Sequence, residues 1–149
     1  MRMTGGTLLP LLQEALAQSG RFRWRLRGRS MEPTFPPDCE IEIVPLPPGG
    51  PALGDVLVFA AGDTLIAHRL VRESHGHWIT HGDGRLGPDP PLGDDQVLGK
   101  VAAAYRDGRC IWPGPQEAAL AAWWVTRHHM LRPVRAGWRA ARRIRRPGP

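Results

Sequence analysis

The strongest constraint on the fold of this chain is its division into short segments by glycine and proline. The 149 residues include 18 glycines and 16 prolines. Both residues interrupt regular elements, because glycine loses more backbone entropy on ordering and proline lacks a backbone donor. Short strands joined by compact turns are therefore favoured over a helical bundle. At this length the chain accommodates one domain with one hydrophobic core.

Runs of alternating or β-branched residues lie between these breaks. Glycine–aspartate pairs at Gly62-Asp63 and Asp107-Gly108 predict two tight hairpin turns. We expect a mainly β fold in which residues 21–113 form a coiled, barrel-like sheet. The predicted strands are residues 21–27, 40–44, 53–60, 64–71, 77–80, 97–105 and 109–112.

Helices are predicted on both sides of the β domain. Residues 7–18 have an amphipathic pattern that Ser19-Gly20 ends, so residues 1–20 are predicted to hold a short N-terminal helix. The helical pattern returns at Gln116, and residues 114–149 are predicted to form a helical tail that Pro133 divides into two pieces.

The tail carries the positive charge of the chain. Residues 126–149 contain eight arginines and no acidic residue, whereas the whole chain has a net charge of +6, so the remainder is slightly acidic. Tryptophans among arginines are typical of a helix at the surface of an anionic membrane, and a helix packed on the sheet with a solvated basic end explains them equally well. No nucleic-acid recognition motif accompanies the arginines, and no nucleic-acid partner is expected.

A second basic segment precedes the most informative part of the sequence. Residues 21–27 alternate arginine with apolar residues, which predicts a half-buried strand with one basic face. A solvated face is the favoured interpretation. The alternative is that these arginines bind an acidic segment of a peptide substrate or an anionic lipid.

Ser30 follows this strand, and four sequence blocks from here onward point to one family. Ser30 begins Ser-Met-Glu-Pro, and His68 lies within Ala-His-Arg-Leu-Val. The blocks Trp-Ile-Thr-His-Gly-Asp at 78–83 and Val-Leu-Gly-Lys-Val at 97–101 follow in order. Together these blocks resemble the signal peptidase I superfamily of serine peptidases over about residues 28–105. A single Ser-x-x-Pro is common, but four blocks in the family's order are not.

The resemblance implies roles for named residues. Ser30 would be the nucleophile, and His68 would be the general base, as in the archaeal and endoplasmic-reticulum branch of the family. A serine hydroxyl needs such a base, and histidine usually needs a carboxylate to orient it. Asp83 and Asp89 resemble the aspartates of that branch, and either one would serve. The substrate-binding residue implied by the resemblance is Met31, and Lys100, the chain's one lysine, is the alternative base.

Each of these residues also has an ordinary structural interpretation. Ser30 and Asp83 lie in sequences that favour turns, and Asp89 lies between prolines in a loop. His68 would share an inward face with Ile66 and Leu70 if the strand alternates, as a packed histidine also would. An inward ionisable side chain needs a partner, which favours the catalytic interpretation.

No cofactor or metal is expected. His75, His77 and His81 lack cysteine or acidic partners at the spacing of a zinc site. Cys39 and Cys110 are expected to be free thiols, although a disulfide between them is the alternative.

No stretch reaches the length of about 18 apolar residues that a spanning helix needs. The sequence therefore predicts a cytoplasmic protein, or one peripheral to the inner face of the membrane.

The sequence as a whole predicts a serine endopeptidase that cleaves a peptide or protein by acyl transfer from Ser30. A non-catalytic relative that binds peptides or membranes is the alternative from another class. A self-cleaving relative of the repressor type is less favoured, because such proteins use a lysine base and carry a DNA-binding domain.

Overall fold

The structure is a computed structural model that describes the backbone of residues 5–144 and the side chains of residues 9–130. It is mainly β, with one helix before the strands and one after them. The elements are α1 (Gly5–Ser19), β1 (Phe22–Arg25), β2 (Glu40–Val44), β3 (Val56–Ala61), β4 (Thr64–Ser74), β5 (His77–His81), a short 3-10 helix (Asp94–Gln96), β6 (Val97–Arg106), β7 (Arg109–Trp112) and α2 (Glu117–Ile144).

Within the described residues, seven strands form one antiparallel sheet. Their order is β1-β2-β6-β3-β4-β5, and β7 pairs with β6. The predicted strands are all present, and both predicted hairpin turns are confirmed, because β3 pairs with β4 and β6 with β7. β1 and β5 end the strand order and do not pair with each other, so the described sheet is not closed.

The hydrophobic core lies on one face of the sheet and is covered by α1. Leu12 of α1 is completely buried, and Leu9 and Leu16 pack beside it at helical spacing. The turn after β1 adds Met31 and Phe35, which are each 1% exposed. This turn is therefore tied to the core immediately beside Ser30.

The second helix differs from the prediction. α2 runs from Glu117 to Ile144 without a break at Pro133, so the predicted division into two pieces is wrong. A proline costs a helix interior about 3 kcal/mol, which weakens the adjoining turn without necessarily ending the helix. No helix in the described part of the chain is both long enough and apolar enough to cross a bilayer.

One side of α2 packs against the sheet. Glu117, Ala121, Trp124 and His128 recur at helical spacing on this side. Ala121 contacts the backbone near Gly54, Glu117 bonds to Arg69, and His128 bonds to His81. The start of the predicted tail is thus part of the folded domain.

Candidate active site

Ser30 lies in a turn that its neighbours hold rigidly. Phe35 N–H donates to the Met31 carbonyl at 3.0 Å, and both side chains are buried. On the other side, Gly84 N–H donates to the Ser30 carbonyl at 2.9 Å. These bonds fix the Ser30 backbone between the core and the loop that follows β5, and its half-buried side chain faces β4.

His68 joins Ser30 to an aspartate. Its Nε2 lies 2.9 Å from Ser30 Oγ, and its Nδ1 lies 2.6 Å from Asp89 Oδ2. An ionised carboxylate only accepts hydrogen bonds, so His68 Nδ1 donates to Asp89, and the tautomer protonated at Nδ1 has Nε2 available to accept the Ser30 hydroxyl. His68 is 3% exposed, and Phe59 contacts its ring edge-on. His68 is buried, as expected, on the face of β4 opposite to the core residues Leu65 and Ala67.

Asp89 is positioned by β5. Its N–H donates to the Thr80 carbonyl at 2.9 Å, and the Thr80 hydroxyl donates to Asp89 Oδ2 at 2.7 Å. Burial acts to raise the pKa of the Asp89 carboxyl, but hydrogen bonds and charge interactions from His68, with the Thr80 bond, bring that pKa below its ordinary value. The carboxylate is therefore ionised beside the imidazole at neutral pH.

Asp83 has different partners, which corrects the expectation that it could orient His68. Its carboxylate accepts bonds from Arg69 Nε and Nη2 at 3.0 and 2.8 Å. The Thr34 hydroxyl also donates to it. Arg69 follows His68 in β4, so its side chain points to the opposite face of the sheet, and Asp83 lies there with it.

Arg69 is the largest fully buried side chain among the described residues. Its Nη1 donates to the Gly54 carbonyl at 2.9 Å and to Glu117 Oε1 at 2.8 Å. Burial acts to lower the pKa of the guanidinium, but the bonds and charges of Asp83 and Glu117 outweigh it and raise that pKa. Arg69 therefore remains charged and joins β4, the Asp83 loop and the start of α2.

Gly82 allows the loop to approach the Ser30–His68 pair. A Cβ at this position would lie 2.6 Å from the Ser30 carbonyl oxygen and 2.9 Å from His68 Nε2. It would also lie 2.7 Å from Cγ of Arg85. Any side chain at position 82 would therefore displace the groups that surround the serine.

A groove of about 180 Å³ opens beside Ser30 and His68. The start of β4 forms one wall, and the end of the basic strand forms part of another. Met31 does not line this groove, because its side chain is buried in the core with its sulfur 3.5 Å from the Asp83 nitrogen. The role of Met31 in binding substrate stays a prediction. The lining residues are Leu26, Arg27, Ser30, Thr64, Leu65, Ile66, Ala67, His68 and Arg85.

Lys100, the alternative base, is engaged elsewhere. Its Nζ lies 3.3 Å from both carboxylate oxygens of Asp55. Both cysteines are free: Cys39 is buried, and Cys110 is exposed. In the part of the chain with described side chains, no group of three or more histidine, cysteine or acidic residues is arranged to hold a metal ion.

Comparisons with known proteins do not assign a family. No protein-family model matches the chain, and no curated protein matches it.

Sequence reasoning missed several residues that build the site. Arg69 was part of a recognised block, but a buried arginine is rare and its two carboxylate partners are distant in sequence. Thr80 and Thr34 carry no pattern of their own. Gly82 had a readable signal, since a glycine next to a proposed catalytic aspartate favours a close backbone approach.

Proposed function

We propose that this protein is a serine endopeptidase of signal peptidase type, with Ser30 as nucleophile, His68 as general base and Asp89 as the residue that orients the imidazole. The observation that carries this proposal is the continuous hydrogen-bonded chain from Ser30 through His68 to Asp89, at 2.9 and 2.6 Å. A nucleophile within reach of a base that a third group orients is the arrangement that acyl transfer requires.

The reaction would proceed in two halves. Ser30 Oγ bonds to the scissile carbonyl carbon while His68 Nε2 takes the hydroxyl proton. The carbon–nitrogen bond then breaks, and His68 returns that proton to the leaving amine. Water next attacks the acyl ester, giving its proton to His68, and release of the acid restores the Ser30 hydroxyl. Asp89 remains ionised throughout and stabilises the imidazolium.

The backbone around Ser30 would stabilise the oxyanion. The Ser30 N–H donates to no acceptor among the described residues, so it is available to the developing charge. Gly28, two residues before the serine, has a φ of 84°, a backbone conformation that favours glycine.

An extended peptide fits the edge of β4. β3 occupies one edge of this strand, but β5 pairs only from Arg69 onward, so no described strand covers the other edge from Thr64 to His68. A substrate strand added here would present its carbonyls next to Ser30. The sheet would then act as the coiled, barrel-like scaffold of the peptidase superfamily.

Covalent labelling tests this function without knowledge of the substrate. An alkyl fluorophosphonate should modify wild-type protein once, at Ser30, as read by intact mass and peptide mapping. His68→Ala should slow the modification by about three orders of magnitude or more, because the hydroxyl loses its base. Ser19→Ala is the matched control, since Ser19 is an exposed serine at the end of α1 whose hydroxyl donates to the backbone.

Equal labelling of wild type and His68→Ala would contradict the proposal, and so would modification that persists in Ser30→Ala. Either result would favour the alternative, a non-catalytic domain that binds peptides. Fragments that appear in the pure protein and vanish in Ser30→Ala would indicate the self-cleaving variant of the function.

We also propose that α2 attaches the enzyme to anionic membranes. α2 exposes Leu120, Trp123 and Met130, with relative exposures of 48%, 54% and 71%. Arg127 lies between them at helical spacing, its guanidinium 5.2 Å from the Trp124 ring centre. Apolar and tryptophan side chains beside arginine are the composition of an interfacial helix. The arginines after residue 130 lie outside the part of the chain with described side chains.

A further inference from the structure

Two arginines border the groove beside Ser30. Arg27 lies three residues before the serine, and Arg85 lies in the loop that Gly82 brings against His68. No acidic residue lines this groove. The carboxylate of Asp89 is bonded to His68 and Thr80.

Neither arginine has a carboxylate partner among the described residues. Their neighbours differ in this respect. Arg23 pairs with Glu40 and Glu42 on the sheet, and Arg29 lies 3.8 Å from Glu32. Among the described side chains, Arg23 of this strand is therefore paired, whereas Arg25 on β1 and Arg27 at the groove have no carboxylate partner.

The backbone of Arg85 is held firmly although its side chain is exposed. Its N–H donates to the Gly82 carbonyl at 2.8 Å, and its carbonyl lies 2.8 Å from His81 Nε2. Arg27 follows Leu26, whose N–H and carbonyl both bond to the segment before β2, at Cys39 and Asp38. The backbone that carries each arginine is therefore held by hydrogen bonds, which lowers the conformational entropy lost when the side chain binds a ligand.

We propose that the substrate carries a carboxylate close to the scissile bond and that Arg27 and Arg85 bind it. This inference rests on the proposed peptidase function and names the class of its substrate. The guanidinium group matches a carboxylate in geometry as well as charge. The carboxylate would come from an aspartate or glutamate side chain, or from the end of a peptide chain.

Protection of Ser30 from labelling tests the inference. Wild-type protein is treated with an alkyl fluorophosphonate in the presence of excess alanine-rich peptide, acetylated and amidated, with one central Asp or one central Asn. The peptide can slide to any register, so a carboxylate site on either side of Ser30 is sampled. The Asp peptide should protect at a concentration about fivefold lower for each arginine that contributes, and high salt should reduce the difference.

Variants assign the effect to the two arginines. Arg27→Gln and Arg85→Gln should each reduce the preference for the Asp peptide, measured as the ratio of the protecting concentrations of the Asn and Asp peptides. This ratio does not depend on the basal reactivity of Ser30 in each variant. Arg109→Gln, an exposed arginine on β7, should leave the ratio unchanged. A peptide without Asp but with a free C-terminus shows whether a chain end supplies the carboxylate.

The experiment distinguishes failure of this inference from failure of the proposed peptidase function. If Ser30 is labelled but the Asp and Asn peptides protect equally or not at all, the inference is wrong and the peptidase function stands. An Asp preference that is unchanged in both glutamine variants also overturns it. If Ser30 is not labelled even without peptide, the proposed function itself is wrong.

Discussion

Burial and hydrogen bonding shift the pKa of the Asp89 carboxyl in opposite directions, and the lowering by the hydrogen bonds and charges is the larger effect. A pKa below the ordinary aspartate value of 3.8 means that folding favours the ionised form. Its contribution to stability is therefore present above that ordinary value and is lost as the pH falls through the lower folded pKa. Part of the protein's acid sensitivity is expected to come from this single residue.

Asp89→Asn should flatten the dependence of stability on pH below about 4, because the amide does not titrate. The measurement is the free energy of unfolding in urea at pH 6 and pH 3 for wild type and variant. Asp63→Asn, in the exposed turn between β3 and β4, is the control and should keep the wild-type dependence. An Asp89→Asn curve parallel to that of wild type would contradict the expectation.

Substitution of Asp83 and of Asp89, the two aspartates in the loop after β5, should affect different properties of the protein. Asp89→Asn should keep the fold but slow labelling of Ser30, by up to about four orders of magnitude, because His68 loses its orienting carboxylate. Asp83→Asn should reduce the free energy of unfolding by about 3 kcal/mol, because Arg69 remains buried with one of its charge partners removed. Urea unfolding and the labelling rate separate the two effects. Slow labelling in a stable Asp83→Asn protein would return the orienting role to Asp83.

At the scale of elements, the loop after β5 is set by a close approach of backbones. Gly82→Ala should displace this loop, because the new Cβ would lie 2.6 Å from the Ser30 carbonyl oxygen. Overpacking of this kind costs about 1–3 kcal/mol and should also slow labelling of Ser30. Gly87→Ala is the matched control, since nothing lies within 4 Å of a Cβ there. If the two variants label and unfold alike, the close approach at Gly82 is not required.

At the scale of the whole molecule, α2 faces both the sheet and the exterior. One side bonds to Arg69 and His81, so removal of the helix would disturb the domain as well as any membrane contact. Trp123 and Met130 are exposed, and Trp123 lines an apolar pocket of about 670 Å³ together with Ile111 and Leu120. Substitutions on the exposed side are therefore the informative test of membrane attachment.

The full chain should sediment with vesicles that contain anionic phosphatidylglycerol and not with phosphatidylcholine vesicles. Salt should weaken this binding, because each arginine near the surface contributes about 1 kcal/mol that is screened. Trp123→Ala with Met130→Ser should reduce the bound fraction, whereas Leu86→Ala, at an exposed site in the loop after β5, should not. Sedimentation of the double variant equal to that of wild type would leave α2 as a packed helix with a solvated side.

The sequence by itself determined the elements with local signals. Alternating residues at 40–44 and the glycine turns at 62–63 and 107–108 predicted strands and hairpins correctly, because side-chain period and turn conformation are properties of a few adjacent residues. Ser30 and His68 became the candidate nucleophile and base in the same way, from the short sequence blocks around each residue. Only the tertiary structure brought them to 2.9 Å.

Only the tertiary structure decided which partners meet. Asp83 and Asp89 are six residues apart in one loop, and the choice between them depends on Arg69, which points away from His68 and takes Asp83 to the other face of the sheet. The burial of Met31 and the docking of Glu117 depend equally on contacts between segments far apart in the chain. Such contacts are set by how the elements pack, and no periodicity or turn signal in the sequence encodes them.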